Sequence, residues 1–432
     1  MATATAQPST TVLHKHIDYV SPVRQYTMGA VMVALGLLTW WLFARTAEPG
    51  ILTKFGLTPG GSTVKVPDLI FPTQTVLYVL AGLQVLLGSI QLIRRGGFRD
   101  RTNLVLFLVA TMFVVAFLAW GAAGKSLNVG GLLKTTLTAS VPLTLGALSG
   151  ILCERAGVIN IAIEGMMLAG AFSGAFIGSL SGNLWIGMAA GVATGVLMGV
   201  IHAFLSIKYK TNQIISGTVI NILATGLTSY FAAKFLQTHR EWNDPGVFQP
   251  IHIPFLTKIP LIGPIIFDSN IYIYAMFAFL FLLQFALFYT RWGLRHRSVG
   301  EHPRAADTLG INVIRTRWIA VLLGSAMAGF AGSYFTLGSV GSFNEMMTAG
   351  RGFIALAAML FGNYMPFGAF GAGLLFGFFD SLASKLAILG IQIPSQFLLM
   401  LPYVITIIVI AGVVGRTTPP AAVGVPYEKE GG

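Results

Sequence analysis

Apolar residues in this chain come in long stretches. They do not alternate at every second position, and they are not confined to one stripe of a helix. A stretch of roughly 17–25 apolar residues is what an α-helix needs to cross the hydrocarbon of a bilayer. The pattern predicts such helices at Met28–Ala44, Leu69–Ile93, Leu104–Ala123, Gly131–Cys153, Val158–Leu180, Leu184–Ile207, Ile214–Leu236, Ile271–Tyr289, Trp318–Leu337, Phe367–Leu389 and Phe397–Val414. A shorter run near Gly352–Gly362 predicts either a twelfth crossing or a re-entrant segment. Twelve crossings put both termini on one side, and a re-entrant segment breaks that count. The expected fold class is an all-α integral membrane protein, a polytopic helical bundle of about 10–12 transmembrane segments.

Composition sharpens this picture. Of 432 residues, 55% are hydrophobic and 10% charged, more apolar surface than a soluble domain can hide. The 51 Gly fit helices whose backbones approach closely in lipid. Small residues are unevenly spread, which suggests four parts: a polar tail over 1–26, an accessory membrane segment of about three spans over 27–125, a Gly/Ala/Ser-rich transport core over 126–415, and a tail over 416–432. The loop Glu48–Pro67 carries the Pro and Gly that separate the first spans. The first apolar run has no convincing small-residue cleavage site and is read as a retained span. A single cysteine, Cys153, rules out an intrachain disulfide.

The net charge of +12 would suggest nucleic acid in a soluble protein, but here the charge lies between spans. Arg94–Arg101 reads RRGGFRDR, Lys208–Lys210 reads KYK, and Arg291–Arg317 holds six Arg. All three fall on one side if the chain crosses at each predicted span. The long loop after Leu236 falls on the other, with Arg240 and Lys258 against Glu241, Asp244 and Asp268. The positive-inside rule then places the basic loops and the N-terminus in the cytoplasm. No nucleic-acid partner is expected; the partner is membrane lipid.

The loop 291–317 contains the punctuation of a short helix. Pro303 suits the first helical position, Glu301 suits the positive end of the dipole, and Gly310 suits the stop. Ala305, Ala306 and Leu309 form a small apolar face, with Arg304, Asp307 and Thr308 around it. Such a helix is too short to span and too small to stand alone. It reads either as a solvated loop that sets topology or as a helix that fits a partner's groove. GEHPRAADTLGI resembles the cytoplasmic coupling motif of permease subunits in ATP-driven (ABC-type) importers, where the helix docks into a separate ATPase.

Cys153–Phe172, CERAGVINIAIEGMMLAGAF, and Gly350–Gly362, GRGFIALAAMLFG, narrow the resemblance. Together they resemble permeases of the nucleoside and simple-sugar branch, within the group that moves ribose and branched-chain amino acids. The likeness covers about Gly131–Val414 and leaves out the first spans. It implies ATP-binding-cassette ATPase subunits, a second permease subunit (the same or different), an extracytoplasmic substrate-binding protein, a nucleoside or sugar substrate, and a bacterial-type plasma membrane. It implies no cofactor and no catalytic residue in this chain. The expected cargo is a nucleoside, with a simple sugar or a flavin-like solute as the alternative cargo and an ion-coupled secondary transporter as the alternative class. That class is expected to carry more buried acids and His.

Several residues could line a pathway. Glu164 lies inside an apolar segment, where a carboxylate is costly and usually functional. The competing reading caps a broken helix with it, or pairs it with Arg155 or Arg351. Asn160, Gln213 and Asn221 could pass a polar neutral solute or join helices. Met166, in the same block, and Glu345, before Arg351, complete the set; Glu345 reads equally as a gate or an ion pair. Asp380 and Lys385 are expected to neutralise each other. The echo between EGMMLAGAF (Glu164–Phe172) and EMMTAGRGF (Glu345–Phe353) suggests a short internal repeat or coincidence. Ala119–Ser126, AWGAAGKS, is one Gly short of a phosphate-binding loop and lacks its strand-then-helix setting. No Cys/His cluster has metal-ligand spacing.

Overall fold

A computed structural model describes residues 22–62, 64–94, 96–389, 397, 400 and 418–429. Two compact units divide the chain: residues up to Phe55 with Leu69–Leu127, and Gly56–Asp68 with the residues from Asn128 onward.

The first unit is a three-helix bundle. It contains α1 (Pro22–Leu38, continued by a widened turn to Ala44), α2 (Thr73–Ile93) and α3 (Thr102–Gly121). A small antiparallel sheet closes one end, with β1 (Leu52–Gly56) between β2 (Leu69–Pro72) and β3 (Ser126–Asn128). Leu52 pairs with Pro72 and Phe55 with Leu69. The expected span from Leu69 therefore begins four residues late, because Leu69–Pro72 is strand and Pro72 stands just before the helix. In the near-match to a phosphate-binding loop, a helix precedes and a strand follows, the reverse of what that loop requires.

The second unit holds α4 (Val129–Glu154), α5 (Ile163–Ser181), α6 (Leu184–Ala203), α7 (Gln213–Phe231), a short α8 (Ile262–Ile266) and α9 (Ile271–Tyr289). It continues with α10 (Arg291–Glu301), α11 (Pro303–Thr308), α12 (Val313–Ser333, continued by widened turns to Val340), α13 (Arg351–Phe361) and α14 (Pro366–Ile388). In the α7–α9 loop, β4 (Ile251–His252) pairs with β5 (Asp268–Ser269). The buried centre is α4, flanked by α5, α12, α13 and α14. Glycine makes the contact possible: a Cβ on Gly170 of α5 would lie 2.5 Å from the carbonyl oxygen of Gly329 on α12.

Among the described residues, ten helices are long and apolar enough to span a bilayer. The 11-residue α13 is not one of them. It is about 16 Å long, and the hydrocarbon is about 30 Å thick. The span expected at Phe397–Val414 lies outside the described residues except for Phe397 and Met400, as do residues 1–21 of the expected N-terminal tail.

Three boundaries differ from the sequence pattern for physical reasons. The helix expected from Val158 begins only at Ile163, because Gly157 takes φ +89° and neighbouring side chains hold residues 158–161 out of a helix. The helix expected from Trp318 begins at Val313, where Asn312 Oδ1 accepts from the Arg315 N–H at 2.9 Å. Charge ended the apolar run there without ending the helix. The stretch before Pro303 is not a loop but the full helix α10, started by Thr290, whose hydroxyl accepts from the Gly293 N–H at 3.1 Å.

Candidate functional site

The break between α4 and α5 is the first element of the site. Non-helical backbone inside a membrane bundle must find its hydrogen bonds in the protein. Here side chains from α6 and α7 supply them. Gln213 Oε1 accepts from the Ile159 N–H at 2.7 Å. His202 Nε2 meets the Ile159 carbonyl at 2.9 Å while its Nδ1 meets Ser216 Oγ at 3.1 Å. Asn221 Oδ1 accepts from the Gly165 N–H at 2.8 Å, and its Nδ2 donates to the Ile161 carbonyl at 2.9 Å. Asn160 turns fully inward, and its Nδ2 donates to the sulfurs of Cys153 (3.5 Å) and Met166 (3.7 Å).

Two charges at the edges of this break bracket the short helix α13. Glu164 accepts three hydrogen bonds at the helix start: from Thr348 Oγ1 at 2.6 Å, the Gly350 N–H at 2.9 Å and the Gly352 N–H at 2.6 Å. Arg155 meets the chain just past the helix end. Its Nε donates to the Tyr364 carbonyl at 3.1 Å and its Nη2 to the Asn363 carbonyl at 3.5 Å. A carboxylate at the positive end and a guanidinium at the negative end both favour the helix dipole. A Cβ on Gly352 would lie 2.5 Å from Glu164 Cα, so only glycine lets the capping carboxylate approach. The two echoing stretches thus touch each other, although one is helix and the other mostly turns.

The second element is the basic face around α10 and α11. His296 is 1% exposed and its Nε2 meets the Leu152 carbonyl at 2.8 Å, which seats α10 on the end of α4. Burial pushes the imidazole down to about 4, so it is neutral at pH 7. Gly300 packs against the Arg155 carbonyl, and a Cβ there would clash with it. In α11, Ala306 points inward against Val299 and Val313, while Ala305 is exposed and Leu309 is 82% exposed. The expected apolar face is therefore divided: Ala306 anchors the helix and Leu309 projects from it. Pro303 occupies the first turn and Arg304 is exposed. Gly310, at φ +80°, ends the helix in a Schellman arrangement. The Gly310 N–H donates to the Asp307 carbonyl at 2.9 Å, and the Ile311 N–H to the Ala306 carbonyl at 3.0 Å.

The C-terminal residues 418–429 complete this face, a feature the sequence pattern did not signal. The Ala421 N–H donates to Glu301 Oε2 at 3.2 Å, and the Ala422 N–H to the Gly300 carbonyl at 2.9 Å. The Gly424 N–H donates to the Gly157 carbonyl at 3.1 Å. Arg317, 2% exposed, ties both sides together by donating to the carbonyls of Ala156 (3.2 Å) and Val425 (2.8 Å). Tyr427 packs on the Val299–Ala306–Val313 cluster, and Glu428 pairs with Lys210 at 2.7 Å. Glu301, expected beside the α11 dipole, is instead the last residue of α10 and holds this tail.

One expected pairing is corrected. Asp380 pairs with Arg351 at 3.2 Å, not with Lys385, because the bundle brings the start of α13 beside α14. Glu345 is exposed on the turn before α13. Among the described residues, no cluster of three or more His, Cys, Asp or Glu could hold a metal.

Among the described residues, ten helices long and apolar enough to span a bilayer, with a broken helix held by buried polar groups, mark a multi-pass membrane protein. A family profile described as a branched-chain amino acid transport system / permease component matches residues 132–415, and the chain belongs to that family. It is similar to the guanosine ABC transporter permease protein NupQ of Bacillus subtilis, 40% identical over 307 residues, covering 69% of this chain and 96% of the relative. It is also similar to the nucleoside ABC transporter permease protein NupC of Lactococcus lactis, at 39% over 67% of this chain and 94% of the relative. A putative glucose ABC transporter permease protein, TsgC13 of Haloferax volcanii, is 34% identical over 58% of this chain and 76% of the relative. No solved structure matches the chain significantly.

Proposed function

We propose that this chain is the membrane-spanning subunit of an ATP-driven importer that carries nucleosides through the α4–α14 unit. In this reading α11 docks into a separate ATP-binding-cassette subunit, a second permease subunit completes the pathway, and an extracytoplasmic binding protein delivers the solute. The basic face lies in the cytoplasm of a bacterial-type plasma membrane, and the first three spans are an accessory segment.

The observation that carries the reading is the anchored yet protruding α11. Ala306 fixes it to the bundle while Leu309 stands 82% exposed beside it. A helix held on one side and bare on the other suits a partner's groove. The α10–tail network leads from it to the α4–α5 break and so to α13, a continuous path for a push from below. The cargo follows from the nucleoside permeases at 39–40% identity. Asn160, Glu164, Met166, Gln213 and Asn221 serve as the frame of the pathway, since their hydrogen bonds go to the protein itself.

The test is purification of the tagged chain from native membranes, followed by nucleoside uptake in proteoliposomes with the co-purifying proteins. An ATPase, a second permease and nucleoside uptake dependent on ATP and a binding protein are expected. A chain that purifies alone and transports without ATP would overturn the proposal.

A further inference from the structure

A cavity of about 490 Å³ opens between α4, the end of α12 and α14, in the half of α4 remote from α10. That is within the roughly 300–1,000 Å³ of small-molecule sites. None of the pathway residues suggested by the sequence lines it. One wall is aromatic: Tyr334 and Phe335, with the Tyr334 hydroxyl fixed by donating to the Thr138 carbonyl at 2.9 Å. Facing it is the Arg351–Asp380 ion pair, joined by one contact at 3.2 Å, with the guanidinium 5.8 Å from the Phe335 ring centre. Among the described residues each charged side chain has no other hydrogen-bonding partner, so the guanidinium keeps free donors and the carboxylate keeps free acceptor capacity. Ser339 and Ser381 supply hydroxyls with no partner among the described residues.

We infer that this cavity is the nucleoside subsite of the transport path, with the base on the Phe335 side and its polar edge on Arg351 and Asp380. The inference rests on the nucleoside-importer reading and assigns it residues. Nucleobase edges present hydrogen-bond donors and acceptors, which an adjacent guanidinium and carboxylate complement. A base also has a flat face for an aromatic wall. The ribose is left for the serine hydroxyls. Asn344 and Lys385 also line the cavity, so its polar groups match no single base edge; the subsite admits nucleosides broadly and sets a free hexose at a disadvantage.

The chain's one cysteine gives a clean test. Cys153 is fully buried, so a Cys153→Ala background with Ser384→Cys offers one accessible thiol at the cavity. The full complex in proteoliposomes is treated with a charged methanethiosulfonate reagent, with uridine, adenosine or glucose as protectant. Modification should cut nucleoside uptake at least tenfold. Either nucleoside should slow labelling at concentrations at least tenfold below those of glucose, the gap left when stacking and edge contacts are missing. Asp380→Asn should weaken nucleoside protection several-fold without altering labelling in its absence. Equal protection by glucose would overturn the base-reading geometry. Labelling that neither blocks uptake nor responds to nucleoside would overturn the site, while the importer reading stands as long as the unmodified complex takes up nucleosides. If the unmodified parent complex fails to do so, the importer reading itself falls.

Discussion

The Glu301 carboxylate accepts a hydrogen bond from the Ala421 N–H at 3.2 Å, joining the end of α10 to the C-terminal tail. Both partners are exposed, so the bond is worth about 1 kcal/mol at most. Glu301→Ala should raise the open population of residues 418–429 up to about fivefold. Limited proteolysis would read this as faster cleavage in the tail, with the bundle intact. Unchanged cleavage would mean that the tail is held by the Ala422, Gly424 and Val425 contacts alone.

Leu309 and Ala306 should separate docking from folding. Leu309→Asp changes a side chain that is 82% exposed and should leave the melting temperature of the isolated chain within a degree or two. It should abolish ATPase co-purification. Ala306→Pro should lose both, because it breaks α11 and its packing on Val299 and Val313. An ATPase still bound to Leu309→Asp would remove α11 from the docking surface.

Glu164 satisfies one hydroxyl and two backbone N–H groups. Glu164→Ala orphans all three and should cost upward of about 3 kcal/mol. Thermal unfolding in detergent should show that loss, and uptake should fall with it. Lost uptake at full stability would instead make Glu164 a substrate contact.

His296 sets a pH dependence. Its folded form resists protonation down to about 4, whereas an unfolded histidine titrates near 6.5. The unfolded state therefore binds more protons between these values, and stability falls as pH drops through that window. At pH 5 the loss is about 2 kcal/mol relative to pH 8. A His296→Gln chain should show a flatter profile between pH 8 and 5. An identical slope would assign the acid sensitivity elsewhere.

Much of the fold is legible in the chain because lipid leaves so few choices. Runs such as Leu184–Ile207 and Ile271–Tyr289 mark observed helices to within a residue. What the pattern misses depends on long-range contact. Nothing local to Val158–Ala162 says that Gln213, His202 and Asn221 will hold it open. Nothing local to Asp380 says that its partner lies 29 residues back at the start of α13. The α11 boundaries were legible from Pro303 and Gly310, because those residues act on their own backbone. The inward turn of Ala306 depends on Val299 and Val313 and was not.

Arg155 and Glu164 stand nine positions apart and grip opposite ends of the same short helix, one charge of each sign. As long as these contacts hold, the two charges stay together and sum to zero. A lone charge crossing the membrane field would couple to it by about 2.3 kcal/mol per 100 mV. With that pair locked, Arg155 and Glu164 together offer the field no net charge to pull on.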